Sequence, residues 1–251
     1  MEAAAYHQAD LEVARDTHRF AARGVELFVA DAKKAIKTRG KFYVAISGGC
    51  TLWSFLKSIA KAPEIKSLPW SRIHLFWVDE QFGCSGSEWT NYKLVTETFL
   101  SAVSIPKRNV HRIPTEFCDL QAAAECYERS IKEVFGLKQG GVPGFDLIIL
   151  GMGNDGSIAS FYCDCYATFE RERLTCVVYD LGERFSRITL SPAVLCAANH
   201  LIILVSGKDK ADVLREVMTN EPDEVRYPIH ILWPVLNKIT WFVDKEAARE
   251  L

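Results

Sequence analysis

The feature that most constrains this chain is a recurring order: a short apolar run, at once a glycine-bearing loop, then a helical pattern. Phe42-Tyr43-Val44-Ala45-Ile46 is continuously apolar, as expected of a strand covered on both faces. Ser47-Gly48-Gly49-Cys50-Thr51 follows directly, after which Leu52, Phe55, Leu56 and Ile59 recur at helical spacing. Phe145–Leu150 reads as a second buried strand and runs straight into Gly151-Met152-Gly153-Asn154-Asp155-Gly156-Ser157.

The alternation extends along the chain. Leu27, Phe28, Ala32, Ala35 and Ile36 share one helical face over residues 25–36, and Gly40 is placed to close that helix. Ile73–Val78, Cys176–Tyr179, Leu201–Val205 and Ile239–Val243 read as further strands, and 91–102, 121–135 and Lys208–Thr219 as helices. Strands alternating with helices predict an α/β class: a mostly parallel, Rossmann-like sheet with helices on both faces. Neither a repeat nor a linker divides residues 1–251, and the glycine-rich stretch at 136–144 reads as an internal connection. One domain is expected, with the N-terminal 20 or so residues a peripheral segment.

Composition narrows the partners. A formal charge of −2 leaves no basic footprint for nucleic acid, so a small, compact ligand is expected. No apolar run reaches the length of a membrane span, and the polar, acidic N-terminus has no signal-like core. The eight cysteines form no C-x-x-C pair; the only close ones are Cys163 and Cys165. They read as reduced thiols of a cytoplasmic protein, with no metal site.

In open parallel sheets ligands bind beyond the carboxyl ends of the strands, and three loops there carry chemistry. In Ser47–Thr51 two glycines permit close backbone approach, and the following helix N-terminus offers N–H groups to an anion; a plain strand-to-helix turn reads equally well. Asp79 and Glu80 are adjacent carboxylates after a strand, suited to acid–base work or to sugar hydroxyls, or simply an exposed acidic loop. Gly151, Gly153 and Gly156 spell G-x-G-x-x-G, but too far along the chain for a dinucleotide fingerprint. That leaves a phosphate or sugar loop.

Taken in order, Val44-Ala45-Ile46-Ser47-Gly48-Gly49, Phe76-Trp77-Val78-Asp79-Glu80 and Phe145–Gly153 resemble the 6-phosphogluconolactonase family. Thr90-Asn91-Tyr92, Arg187-Ile188-Thr189-Leu190, Gly207 with Lys210, and Ile239–Asp244 extend the likeness to the C-terminus. The related glucosamine-6-phosphate deaminases share the first loop, whereas Ile158-Ala159-Ser160-Phe161 is closer to the lactonase pattern. The resemblance implies hydrolysis of 6-phosphoglucono-δ-lactone in the oxidative pentose phosphate pathway, without metal or organic cofactor. It implies that Ser47, Gly48, Gly49, Cys50, Thr51, Glu80 and Gly153 form the sugar-phosphate site, with Arg187 and Lys210 supplying positive charge. Asp79, Asp155 and Ser157 would stand at the reacting end.

Three departures converge on that site. The family's Gly-x-Asp-Gly-His is Gly153-Asn154-Asp155-Gly156-Ser157 here, its Asp-Glu-Arg is Asp79-Glu80-Gln81, and its Gly-Gly-Ser-Thr-Pro is Gly48-Gly49-Cys50-Thr51-Leu52. Serine is no base at neutral pH. Asp155 would need a buried setting to take over, or a fold that brings His200 or His230 close. The readings are a weakened lactonase and, alternatively, a catalytically silent sugar-phosphate binder with a regulatory or scaffold role.

Overall fold

The structure is a computed structural model that describes residues 10–83, 90–179 and 185–251. His7 and Cys84 lie outside the described residues.

Seven strands form one parallel sheet: β1 (Asp10–Ala14), β2 (Phe42–Ile46), β3 (Ile73–Trp77), β5 (Val110–His111), β6 (Leu147–Gly151), β9 (Leu201–Val205) and β10 (Ile239–Asp244). Their order is β1-β10-β9-β6-β2-β3-β5. The apolar runs became central strands because a strand buried on both faces must be apolar at every position. Val44, Ala45, Ile148, Ile149, Ile202 and Ile203 are all fully buried. The second strand begins two residues later than the Phe145 start read from the sequence. Asp146 stays out of the strand, accepting the Tyr43 N–H at 2.8 Å and pairing with Arg39.

Seven α-helices are described: α1 (Thr17–Arg39), α2 (Cys50–Ile59), α3 (Pro63–Lys66), α4 (Asn91–Thr98), α5 (Leu120–Phe135), α6 (Pro192–Ala197) and α7 (Ala211–Thr219). Successive residues of one strand show that both faces are covered. Phe42 meets Phe28 of α1 edge-on at 5.5 Å, whereas Tyr43 stacks on Phe135 of α5 at 4.3 Å. Likewise Phe242 stacks on Phe20 at 4.2 Å, while Trp241 meets Trp233 of the 3-10 segment Pro228–Lys238. Phe28, Phe42 and Phe242 are fully buried, each such side chain being worth about 1.5–3 kcal/mol. Gly40 closes α1 as expected, at φ 79° with its N–H on the Ile36 carbonyl.

Two parts of the architecture depart from the sequence reading. Residues 10–14 of the segment read as peripheral are the edge strand β1, paired with β10. A second, antiparallel sheet of β4 (Asp79–Gln81), β8 (Arg187–Leu190) and β7 (Thr175–Val178), in the order β4-β8-β7, stands beside the first. The strand read at Cys176–Tyr179 is β7; β4 and β8, three and four residues long, are too short for periodicity to declare them. Among the described residues no helix is long and apolar enough to cross a membrane.

The strand order places the site. From β2 the chain winds outward through β3 and β5; from β6 it winds the other way through β9 and β10. The loops after β2 and β6 therefore diverge at the switch point, where a crevice is inevitable.

Candidate active site

That crevice is a cleft of about 680 Å³, lined by the loops after β2, β6 and β9, by Arg187 at the start of β8 and by Asp244 at the end of β10. Gly48 is glycine for a steric reason: a Cβ there would sit 1.9 Å from Asn91 Oδ1. Asn91 is itself fixed, donating through Nδ2 to the Asp79 carbonyl at 2.7 Å. Gly49, at φ 99°, precedes α2 and gives it no side-chain cap. The first N–H groups of α2 are thus left to water or a ligand, with the positive end of the helix behind them.

Cys50 and Thr51 line the cleft at this helix end, and Lys210 reaches across to donate to Thr51 Oγ1 at 3.3 Å. Burial pushes the Lys210 ammonium below its ordinary range, against the opposing pull of Asp209, Cys50 and Asp244. Asp244 ties two strand ends together: it accepts the Ser206 hydroxyl at 2.6 Å and the Gly207 N–H at 3.1 Å. Ser206, Asp209 and Asp244 were not among the predicted site residues, although Asp244 closes the last family-like motif.

The paired carboxylates split. In strand β4 successive side chains point to opposite sides. Asp79 turns toward the cleft wall: its Oδ1 accepts the Ser47 hydroxyl at 2.5 Å, and its Oδ2 accepts the Ser160 hydroxyl at 2.5 Å and Arg187 Nη2 at 2.9 Å. Both carboxylate oxygens are engaged, Asp79 is buried, and it stands behind the lining rather than in it. Ser47 lines the cleft, but its hydroxyl is turned to Asp79.

Glu80 lines neither the cleft nor the smaller recess beside it. Its buried carboxylate accepts the Gln81, Asn91 and Tyr92 N–H groups at 2.9, 2.9 and 2.7 Å, satisfying the N-terminus of α4. Burial holds this carboxyl above the ordinary range, and the three N–H bonds work against that rise.

Gly153, Asn154 and Ser157 bring the third loop to the cleft. Gly153 donates its N–H to the Ser157 carbonyl at 2.8 Å. Ser157 donates through both N–H and Oγ to Asp155 Oδ1, at 3.0 and 2.5 Å. The burial that Asp155 needed as a base is missing: it is exposed, on the rim of a smaller recess of about 450 Å³ that it shares with Gln81 and Arg187. Gln81 Oε1 is buried there without a hydrogen-bond partner.

Among the described residues no distant histidine fills the gap. Of His74, His111, His200 and His230, none lines the cleft. His230 is fully buried, its Nδ1 accepting the Asp223 N–H at 2.7 Å and its Nε2 donating to the Val217 carbonyl at 2.9 Å. His200 lies at the opposite end of the sheet, between Asp31 and Thr240.

The sequence and the fold have counterparts in known proteins. The family described as glucosamine-6-phosphate isomerases/6-phosphogluconolactonase matches residues 15–241. The chain belongs to this family. It is 32% identical over 241 residues to a 6-phosphogluconolactonase of Nostoc, covering 96% of this chain and 98% of that one. A 6-phosphogluconolactonase of Synechocystis is also 32% identical, over 218 residues, with 87% and 88% covered. Among solved structures, a 6-phosphogluconolactonase of Thermotoga maritima superposes with a TM-score of 0.79 at 28% identity, covering 94% of this chain and 99% of its own.

Proposed function

We propose that this chain, acting as one domain, binds 6-phosphoglucono-δ-lactone and hydrolyses it to 6-phosphogluconate, at a rate lowered by serine at position 157. What carries the reading is one cleft that joins a cationic helix end to a hydroxyl–carboxylate pair. The phosphate would sit at the uncapped N-terminus of α2, held by N–H groups of the Gly49–Thr51 turn and by Lys210. Arg187 faces the same cleft and would hold a second anionic or carbonyl oxygen. The lactone carbonyl would then lie toward Ser157 and Asp155.

Water must attack the carbonyl carbon as the ring ester bond breaks, and its proton must leave. Ser157 already donates its own proton to Asp155, so its oxygen offers lone pairs to a water molecule. It orients that water but takes up its proton poorly, and Asp155 is exposed and already engaged by the Ser157 hydroxyl. An imidazole would be poised for the transfer.

The specific observation that favours the second reading, binding without turnover, is that none of the four histidines with described side-chain contacts lines the cleft. The experiment that separates the two measures hydrolysis of freshly generated lactone in buffer, with the parent protein and with Ser157→His. The expected outcome is a parent rate above buffer that rises by about 10²–10⁴-fold in the histidine variant, the range a positioned general base contributes. A parent rate equal to buffer, with activity only in Ser157→His, overturns hydrolysis and leaves binding.

A further inference from the structure

A left-handed turn stands at the edge of the cleft where the sequence supplies no glycine. Ala159 and Ser160 have φ 48° and 63°, and the Phe161 N–H closes the turn on the Ile158 carbonyl at 2.7 Å. Two successive positive φ values inside such a bond mark the type I′ turn, whose usual residues are glycine and asparagine. Each side chain there carries a backbone cost that glycine would avoid, and such conformations persist only where the surroundings over-determine them.

The surroundings do so here. Thr189, opposite Asp79 in the β4–β8 ladder, donates its hydroxyl to the Ala159 carbonyl at 2.6 Å. Phe161 is fully buried. The result is that the buried Ser160 hydroxyl is inserted between two charged groups. It donates to Asp79 Oδ2 at 2.5 Å and accepts the Nε–H of Arg187, whose Nη2 donates to the same Asp79 oxygen at 2.9 Å. Arg187 is thereby gripped at two points of its planar fork. Among the described residues, loss of the hydroxyl leaves the Asp79 carboxylate as the one hydrogen-bond partner of the guanidinium, free to pivot about it.

We propose that Ser160 is a positioning residue of the candidate active site: the strained turn exists to place one hydroxyl that fixes the orientation in which Arg187 faces a ligand oxygen. The inference rests on the sugar-phosphate reading of the cleft, and its test separates the two. Glycine at 160 relieves the backbone while removing the hydroxyl, so a positioning role and a purely structural role move stability and binding in different ways. A structural serine, when lost, lowers stability and leaves intrinsic affinity alone. A positioning serine, when lost, costs intrinsic affinity in both variants, even where glycine recovers part of the stability by relieving the turn.

The experiment compares the parent with Ser160→Gly and Ser160→Ala by thermal unfolding, by calorimetric affinity for 6-phosphogluconate, and by the Arg187 Nε–Hε resonance, assigned with Arg187→Lys. The expected result is a higher Tm in Ser160→Gly than in Ser160→Ala, because only glycine relieves the turn, with affinity weakened about tenfold in both variants. The protected Arg187 Nε–Hε signal of the parent is expected to lose its protection in both. Unchanged affinity, or an Nε–Hε signal as protected as the parent's, overturns the proposal. A parent that does not bind 6-phosphogluconate sinks the sugar-phosphate reading instead, and the Arg187 resonance in the two variants then decides the positioning role alone.

Discussion

The two ends of the parallel sheet carry the same kinds of polar side chain and use them differently. At the carboxyl end, Asp79, Ser47, Ser160 and Arg187 form a buried set with one side toward a cleft. At the amino end, Asp31, His200, Thr240 and Asp10 form a string: His200 Nδ1 meets Asp31 Oδ2 at 2.6 Å, its Nε2 meets Thr240 Oγ1 at 3.0 Å, and Thr240 donates to Asp10 Oδ2 at 3.2 Å. By distance alone, this carboxylate–imidazole–hydroxyl string is closer to a catalytic arrangement than anything in the cleft. Yet Thr240 is 5% exposed and its hydroxyl is committed on both sides, so no substrate can reach it. It pins β1 and α1 to the starts of β9 and β10. Chemistry is available only where the winding of the strands leaves a crevice and the helices begin.

The comparison is sharpest if each end is broken in turn. Asp79→Ala is expected to be the most damaging change, because it leaves a largely buried Arg187 cation without its counter-charge. Breaking a buried ion pair from one side costs about 3–5 kcal/mol, readable as a fall in the urea unfolding midpoint at constant slope. A loss below about 1 kcal/mol, the worth of an exposed pair, would mean that water reaches Arg187 freely and that the carboxyl-end set is not a closed unit.

At the amino end His200→Ala removes two hydrogen bonds and leaves Asp31 without its partner. The expected cost is about 1–3 kcal/mol of stability, with affinity for 6-phosphogluconate unchanged once the protein is folded. Any loss of intrinsic affinity would break the division of labour between the two ends.

These assignments also show what was legible in the chain. The central strands and the glycine loops were, because an apolar run with glycine at its carboxyl end has few other uses. Asp79 and Glu80 looked alike as neighbours, and only the three-residue pairing of β4 with β8 turned one toward the cleft and the other to the start of α4. Ser160 lay in plain view within a family-like segment. Its role depends on positions 47, 79 and 187 arriving at the same point from distant parts of the chain, which no local pattern records. The exposure of Asp155 was equally beyond reach, since a polar loop residue carries no periodic signal of burial.

The smallest expected effect tests whether the cleft trades stability for binding. Lys210→Met removes a cation that burial already disfavours, so the ligand-free variant should be at least as stable as the parent near neutral pH. Its affinity for 6-phosphogluconate should fall about tenfold, the worth of one charge-assisted hydrogen bond. The pH dependence gives the sign independently. The folded-state pKa of Lys210 lies below lysine's ordinary 10.5, so between those two values the unfolded chain holds a proton that the folded one has released. Parent stability therefore gains from this group as pH rises through the folded pKa toward 10.5, and that contribution is lost as pH falls back through it. Lys210→Met lacks this contribution, so its stability advantage should narrow over the same alkaline interval in paired urea titrations. An advantage that stays constant there would place the Lys210 ammonium in water, and the cationic wall of the cleft would have to be assigned to Arg187 and the α2 N-terminus alone.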